Sequence, residues 1–218
     1  MDIKLIYHNE LQSDVESFIQ LQPQFIYKKD KEGIILKGKY YYNLTYSNFY
    51  TSGEKCLKIV IPYDYPASEP MVFSEEPLPE GLSHVNCDGS FCMGTIGEIS
   101  QFLVNNPSIA DYLERFLNPF IYTIDWYAKY ESYPFGEREH GAKGLKEYYI
   151  NDWGLTEEQF RIMVYIIFNK KYRGHAKCFC GSGKKLRDCH GAKLLPIIKN
   201  ELVRQRFLLE IKMIINER

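Results

Sequence analysis

The chain has 218 residues, enough for one hydrophobic core with an appendage or for two small domains. Its 27 basic and 28 acidic residues nearly cancel, which excludes binding of nucleic acid or membranes through bulk charge alone. The sequence shows no secretory pattern and no apolar run of membrane-spanning length, so we expect a cytoplasmic protein without membrane contact. The six cysteines are then expected to serve metals or catalysis rather than disulfides.

The first third of the chain predicts one helix followed by an antiparallel meander. Apolar residues recur at helical spacing from Leu11 to Ile19 and predict an amphipathic helix that ends before Pro23. Runs rich in β-branched and aromatic residues follow, and TSGEK at 51–55 is typical of a turn between strands. Strands are predicted, in order, at 33–50, 57–61 and 71–74.

The rest of the chain predicts mainly helices, interrupted by two loops that contain cysteine. One helical region is predicted over 107–129, with a kink at Pro119. Thr156 is expected to cap the N-terminus of a second helix over 157–171. The tail at 194–218 predicts a single amphipathic helix.

The strongest chemical pattern is CFCGSGKKLRDCHG, in which three cysteines and a histidine are spaced C-x-C-x8-C-H. Zinc prefers four sulfur or nitrogen ligands in a tetrahedron, and the glycines inside the motif supply a flexible reversal of the chain. Because protein side chains fill all four positions, no place remains for a catalytic water, and we expect a structural zinc ion. The expected ligands are Cys178, Cys180, Cys189 and His190.

This motif resembles the SEC-C zinc module, named for the C-terminal tail of the SecA preprotein translocase, at every ligand and at the glycines. The surrounding segment 170–193 is basic, with eight Lys or Arg residues and one acidic residue. Such a surface could meet an acidic partner or nucleic acid, or it could be a solvated face around the metal.

The second cysteine loop is HVNCDGSFCMG at 84–94, and the residues alone leave several interpretations open. His84, Cys87 and Cys92 could supply three metal ligands, with a fourth from elsewhere. His84 and a cysteine could form a base and nucleophile pair, although such pairs usually come from separate elements. The cysteines could also be small apolar fillers of a core, since free cysteine is often buried.

The order of features across residues 8–130 resembles the ubiquitin-conjugating enzyme (UBC) family. There a helix precedes an antiparallel meander, which leads into a Tyr-Pro-x-x-x-Pro turn, a His-Pro-Asn tripeptide and a Gly-x-Ile-Cys nucleophile segment. The matching residues here are Tyr65, Pro66 and Pro70, then His84 and Asn86, then Gly89, Phe91 and Cys92. Val85 in place of the tripeptide proline, a shortened loop and the lack of a tryptophan after the nucleophile resemble divergent bacterial members from antiphage defence operons and ubiquitin-like conjugation systems.

The resemblance implies that Cys92 accepts a protein C-terminus as a thioester and passes it to an amine. Asn86 is then expected to stabilise the tetrahedral oxyanion, or to hold the loop that does so, while His84 bonds the loop backbone. The sequence contains no phosphate-binding P-loop, so either an adenylating partner loads Cys92 or the loading differs from the usual scheme.

Bacterial proteins of this kind accompany cyclic-oligonucleotide synthases of the cGAS/DncV-like family in CBASS antiphage systems, where they act on the synthase's C-terminus. We therefore expect a synthase of that type as the protein partner. The alternatives are a catalytically inactive UBC-like scaffold and a zinc-dependent adaptor that binds an acidic partner or nucleic acid.

Together these patterns predict an α+β chain. It would comprise a UBC-like domain, whose antiparallel meander is flanked by helices, then a helical extension, a small zinc module and a C-terminal helix. The role of Glu137, Glu139 and His140 in the extension stays open between polar site residues and a plain turn. The predicted boundaries are 1–134, 135–172, 173–193 and 194–218.

Overall fold

The computed structural model describes residues 3–46, 48–136 and 141–216. Glu137, Glu139 and His140 therefore lie outside the described residues. The chain divides into two compact units. The first comprises the chain up to Gly94 together with Asn105–Gly136, and the second comprises Thr95–Val104 together with the chain from 137 onward.

The fold is α+β, with a four-stranded antiparallel sheet in the order β1-β2-β3-β4, as the meander pattern predicts. The strands are β1 (Ile26–Lys29), β2 (Gly33–Tyr46), β3 (Phe49–Pro62) and β4 (Met71–Ser74). The helices are α1 (Ile3–Leu21), α2 (Ile96–Asn105), α3 (Ile109–Tyr112), α4 (Asn118–Tyr130), α5 (Gly141–Glu147), α6 (Glu157–Phe168), α7 (Gly191–Lys199) and α8 (Glu201–Asn216).

The strand limits differ from those predicted at two places. Strand β1 was not expected, because its side chains are all exposed and show no alternation of apolar and polar residues. The expected turn TSGEK lies inside β3, where Gly53 pairs with Tyr42. The reversal instead falls between Tyr46 and Phe49. A Cβ at residue 53 would lie 3.1 Å from the Tyr42 hydroxyl, so this glycine makes room for a tyrosine rather than a turn.

The core of the first unit forms where one face of the sheet meets the helices. Leu36 pairs with Ile59, which pairs in turn with Val72, and all three side chains are fully buried. The helical region predicted over 107–129 begins at Ile109, because the Ser108 hydroxyl accepts the Asp111 amide and caps it. A π-helical turn at Leu113–Leu117 then precedes α4, so the irregularity expected at Pro119 occurs just before that residue.

The second unit packs α6, α7 and α8 around a set of fully buried side chains. Helix α6 begins with a capping box between Thr156 and Gln159, which confirms the predicted N-cap. The buried members of this core include Tyr149, Met163, Ile167, Leu194 and Phe207.

The tail forms two helices where the sequence predicts one. Helix α7 ends at Lys199, and Asn200 adopts an extended conformation before α8 begins. The Asn200 side-chain oxygen accepts the backbone amides of Leu202 and Val203 at 3.0 and 3.2 Å. Asparagine therefore acts as an N-cap in the middle of an amphipathic pattern that continues across the break.

A buried carboxylate holds the start of α2 within the second unit. Glu210 of α8 is 0% exposed, and its carboxylate accepts the Gly97 amide at 2.8 Å and the Tyr149 hydroxyl at 2.5 Å. Burial raises the pKa of Glu210, an effect that these two hydrogen bonds oppose. A Cβ at residue 97 would lie 2.3 Å from the Tyr149 hydroxyl oxygen, so only glycine fits here.

Replacing Glu210 by leucine should lower the free energy of unfolding by about 3 kcal/mol, because two buried donors lose their acceptor. Glu210→Gln is the matched control. It keeps an oxygen for Gly97 and offers an amide to Tyr149, so it should cost about 1 kcal/mol or less. Urea denaturation followed by circular dichroism measures both changes. Equal losses in the two variants would show that the hydrogen bonds do not matter.

Comparing the wild-type chain with Glu210→Gln also gives a pH test. Because the pKa of Glu210 is raised in the folded state, its contribution is complete below the unfolded pKa and is lost as pH rises through the folded pKa. The wild-type chain should therefore lose stability relative to Glu210→Gln across that window. A constant difference between the two proteins would contradict the assigned shift.

Candidate functional site

The segment that carries the C-terminal cysteines folds as a compact knuckle. Lys177 and Lys185 form an antiparallel bridge, and the Cys178 amide donates to the Lys184 carbonyl at 2.8 Å. Between them the chain reverses at Gly181 and Gly183, whose φ angles of 77° and 75° lie in the left-handed region. The glycines of the motif therefore form the reversal that the sequence predicts.

The knuckle and the start of α7 bring four ligand atoms together. Those of Cys178, Cys180, Cys189 and His190 all lie within 4.8 Å of one another. The His190 Nδ1 atom is 3.3 Å from the Cys178 sulfur and 3.4 Å from the Cys189 sulfur. The sulfurs of Cys180 and Cys189 are 3.6 Å apart. A tetrahedron of ligands bound at ordinary zinc distances has edges of about 3.3–3.8 Å, and these three separations fall in that range.

The histidine is oriented by a partner that sequence reasoning missed. Its Nε2 atom lies 2.7 Å from the Trp153 carbonyl oxygen, which can only accept a hydrogen bond. The proton therefore belongs on Nε2, and Nδ1 keeps the lone pair that a metal needs. Trp153 itself is buried in the core of the second unit, so the imidazole is tied directly to that core.

Two further side chains support the cysteines from outside the ligand set. Gln159 of the α6 capping box donates its amide to the Cys180 carbonyl at 3.0 Å. The Ser182 hydroxyl lies 3.2 Å from the Cys180 sulfur and lowers the pKa of that thiol to about 6. A thiol with a lowered pKa is poised to bind a metal as thiolate. The capping-box pattern around Gln159 was visible in the sequence, but its contact with Cys180 was not.

The second cysteine loop is a short hairpin in the first unit. Val85 pairs with Phe91 across it, and the Gly89 amide donates to the Asn86 carbonyl at 2.9 Å to close the turn. Gly89 has a φ of 85°, which the turn requires. Cys87 therefore lies exposed at the tip, whereas Cys92 lies at the base.

Backbone hydrogen bonds on both sides fix the position of Cys92. Its amide donates to the His84 carbonyl at 2.7 Å, and the amide of the preceding Phe91 donates to Val72 in β4 at 2.8 Å. The Phe91 ring stacks on Phe120 of α4, with centroids 4.4 Å apart. The Cys92 side chain is half-buried, and this burial raises the pKa of its thiol.

The structure brings some of the predicted loop residues together and separates others. The Asn86 side-chain amide donates to the Ser90 hydroxyl at 3.0 Å, so it braces the turn. His84 contributes its carbonyl to Cys92, and its ring packs edge-on against Tyr133 at 5.5 Å. Among the described residues, the only cluster of histidine, cysteine or acidic ligands that could hold a metal is the C-terminal one. His84, Cys87 and Cys92 do not form such a cluster in the described structure.

Comparison with known families identifies the C-terminal knuckle. Residues 176–192 match the family model of the SEC-C motif, a zinc-binding motif, which confirms the resemblance stated for this segment. No curated protein sequence matches the chain. Within the part of the chain that the structure describes, no helix combines the length and apolarity needed to cross a membrane.

Protein purified without chelator should contain one metal ion per chain, measured by inductively coupled plasma mass spectrometry. Cys189→Ser should lose that ion, because the alcohol is a poor substitute for a thiolate ligand. Cys87→Ser, which changes an exposed cysteine at the other loop, should retain it as the matched control. Equal metal content in Cys189→Ser and wild type would refute the ligand assignment.

Proposed function

We propose that the chain is a ubiquitin-conjugating-like acyl carrier with a structural zinc ion. In this proposal, Cys92 accepts the C-terminus of a protein as a thioester and transfers it to an amine. The observation that carries the proposal is the placement of Cys92: it is half-buried at the base of a hairpin, with its backbone amide held by His84. A carrier thiol needs such fixed surroundings, because the thioester must meet its acceptor in one geometry.

The arrangement of the first unit supports the same proposal. A helix precedes a four-stranded antiparallel meander, and the cysteine loop follows the last strand before further helices. This is the order that the resemblance to the UBC family implies. The loop is anchored to β4 through Phe91 and Val72, so the thiol is presented by the sheet rather than by a free loop.

The zinc ion is proposed on the donor set, three cysteine sulfurs and one imidazole nitrogen that lie within 4.8 Å of one another. When bound, such an ion cross-links the knuckle to the start of α7. The residues that would hold it are Cys178, Cys180, Cys189 and His190. With every position filled by protein, the ion has a structural role.

The proposed chemistry has two steps at Cys92. Its thiolate attacks the carbonyl carbon of an activated C-terminus, a carbon–sulfur bond forms, and the activating group departs. The activated donor is an acyl adenylate or thioester supplied by an adenylating partner. An amine nitrogen then attacks the same carbonyl, the carbon–sulfur bond breaks, Cys92 leaves as thiolate, and the amine proton passes to solvent.

The raised pKa of Cys92 bears on the first step. At neutral pH most of the thiol is protonated, which protects it from adventitious oxidation and alkylation. Once formed, its thiolate is a stronger nucleophile than that of an ordinary cysteine.

The proposed donor is a cyclic-oligonucleotide synthase of the cGAS/DncV-like family in a CBASS antiphage system, as the resemblance implies.

A second candidate function is a zinc-dependent adaptor with affinity for nucleic acid. Lys177 and Lys185 lie directly opposite each other on the knuckle, an arrangement that like charges disfavour. Within the described residues, no carboxylate forms an ion pair with either lysine or with the nearby exposed Arg173 and Lys184. DNA binding that weakens steeply with salt would favour this candidate over the carrier.

Co-expression of the chain with its neighbouring genes should give a covalent adduct on a non-reducing gel that a thiol reductant removes. Cys92→Ala should abolish the adduct, whereas Cys87→Ala, the matched control on the same loop, should keep it. Cys92→Ser should trap a reductant-resistant ester, because an alkoxide is a poorer leaving group than a thiolate. An adduct that persists in Cys92→Ala would refute the assignment, and its absence in wild type would favour an inactive scaffold.

Asn86→Ala should leave loading of Cys92 intact and slow transfer to an amine, in a single-turnover assay followed by gel. If Asn86 donates to the oxyanion, the loss should be on the order of a hundredfold, and Ser90→Ala should transfer almost normally. If Asn86 acts by bracing the turn through Ser90, the two variants should slow transfer by similar factors. Wild-type transfer rates in both variants would exclude both roles of Asn86.

A further inference from the structure

A small apolar pocket lies beside the cysteine hairpin in the first unit. Its volume is about 160 Å³. The hairpin contributes His84 and Met93 to its wall, and α4 contributes Phe120 and Thr123. Among the described residues, no Asp, Glu, Lys or Arg side chain lines it, so this part of the wall suits an uncharged group.

The pocket wall is held in place by contacts that leave little freedom at its rim. The Ser83 amide donates to the Tyr133 hydroxyl oxygen at 2.7 Å. His84 has a φ of 64°, uncommon for a residue other than glycine, and its ring packs against Tyr133. Phe116 and Phe120, which also line the pocket, are nearly fully buried. The pocket is therefore preformed rather than dependent on closure around a ligand.

The position of the pocket ties it to Cys92. Met93, which lines it, directly follows Cys92, and His84 accepts the Cys92 amide at 2.7 Å. Two residues of the pocket wall are thus neighbours of Cys92 in the hairpin, Met93 along the chain and His84 through a backbone hydrogen bond.

We propose that the pocket receives one apolar side chain, an aromatic ring or a branched aliphatic group, from the C-terminal tail of the protein that Cys92 carries. The inference rests on the proposed carrier function. An apolar cavity of about 150 Å³ is known to hold one benzene ring, which sets the size of the occupant. The aromatic and proline residues of the wall favour a ring, through edge-to-face contacts. The pocket thereby selects donors with such a residue close to the carried carboxyl group.

The pocket can be tested without any partner protein, by comparing two thiol reagents on the purified full chain. Benzyl and methyl methanethiosulfonate both react with a cysteine thiolate, which displaces methanesulfinate and forms a mixed disulfide. The benzyl reagent differs by the ring that the pocket is expected to bind. Peptide mass spectrometry gives the rate at Cys92 and at the exposed Cys87, whose ratio of benzyl to methyl rates is the internal reference.

The ratio of benzyl to methyl rates should be about tenfold higher at Cys92 than at Cys87, since one ring buried in an apolar site is worth on the order of 1.4 kcal/mol or more. Thr123→Phe should fill the pocket and bring the Cys92 ratio down to the Cys87 value. Thr123→Ser, which keeps the hydroxyl bond to the Pro119 carbonyl, is the matched control and should preserve the preference. The wild-type ratio is informative even if the filled variant fails to fold.

Equal ratios at the two cysteines would overturn the pocket proposal, and so would a preference that survives in folded Thr123→Phe. These outcomes are separable from failure of the carrier function. A benzyl preference without any adduct in cells would retain the pocket and reject the carrier. An adduct in cells without the benzyl preference would retain the carrier function and reject the pocket.

Discussion

The hydrogen bond from His190 Nε2 to the Trp153 carbonyl is the contact on which the second unit depends most. It selects the imidazole tautomer that leaves Nδ1 free for a metal, and it anchors that ligand to a buried aromatic residue. His190 also sits at the first turn of α7, where its carbonyl accepts the Leu194 amide at 3.0 Å. Metal binding and helix packing therefore act on the same residue. Without that ligand geometry, a short knuckle with few apolar side chains would have little to fold around.

The cysteine hairpin of the first unit is held in place by different interactions. There the backbone, rather than a metal, fixes the thiol, through amides at Phe91 and Cys92 that bond to Val72 and His84. Burial raises the pKa of Cys92, whereas the Ser182 hydroxyl lowers that of Cys180. The two environments suit the two proposed roles, covalent exchange at Cys92 and metal binding at Cys180.

The sequence predicted the parts of the fold that leave a periodic or spaced pattern. The antiparallel order, the Thr156 cap and the four clustered ligands are all of this kind. The predictions failed where a residue typical of one local structure serves a different contact in the fold. Gly53 looked like a turn residue but makes room for Tyr42, and Asn200 interrupts an apolar repeat to cap a helix. The hydrogen bonds from His190 to the Trp153 carbonyl and from Gly97 to the Glu210 carboxylate could not be predicted from the sequence. Both depend on how distant segments pack, which no local spacing of residues encodes.

The most direct test of the carrier assignment is to locate the attachment site itself. The chain would be isolated from its native cells under acidic, non-reducing conditions and digested, and the peptide spanning 84–94 examined by tandem mass spectrometry. We expect a fraction of that peptide to carry the C-terminal residues of another protein on the Cys92 sulfur, released by neutral hydroxylamine as expected of a thioester. A thioester on Cys87 instead of Cys92, or attachment to this chain only through linkages that are stable to hydroxylamine, would contradict this assignment.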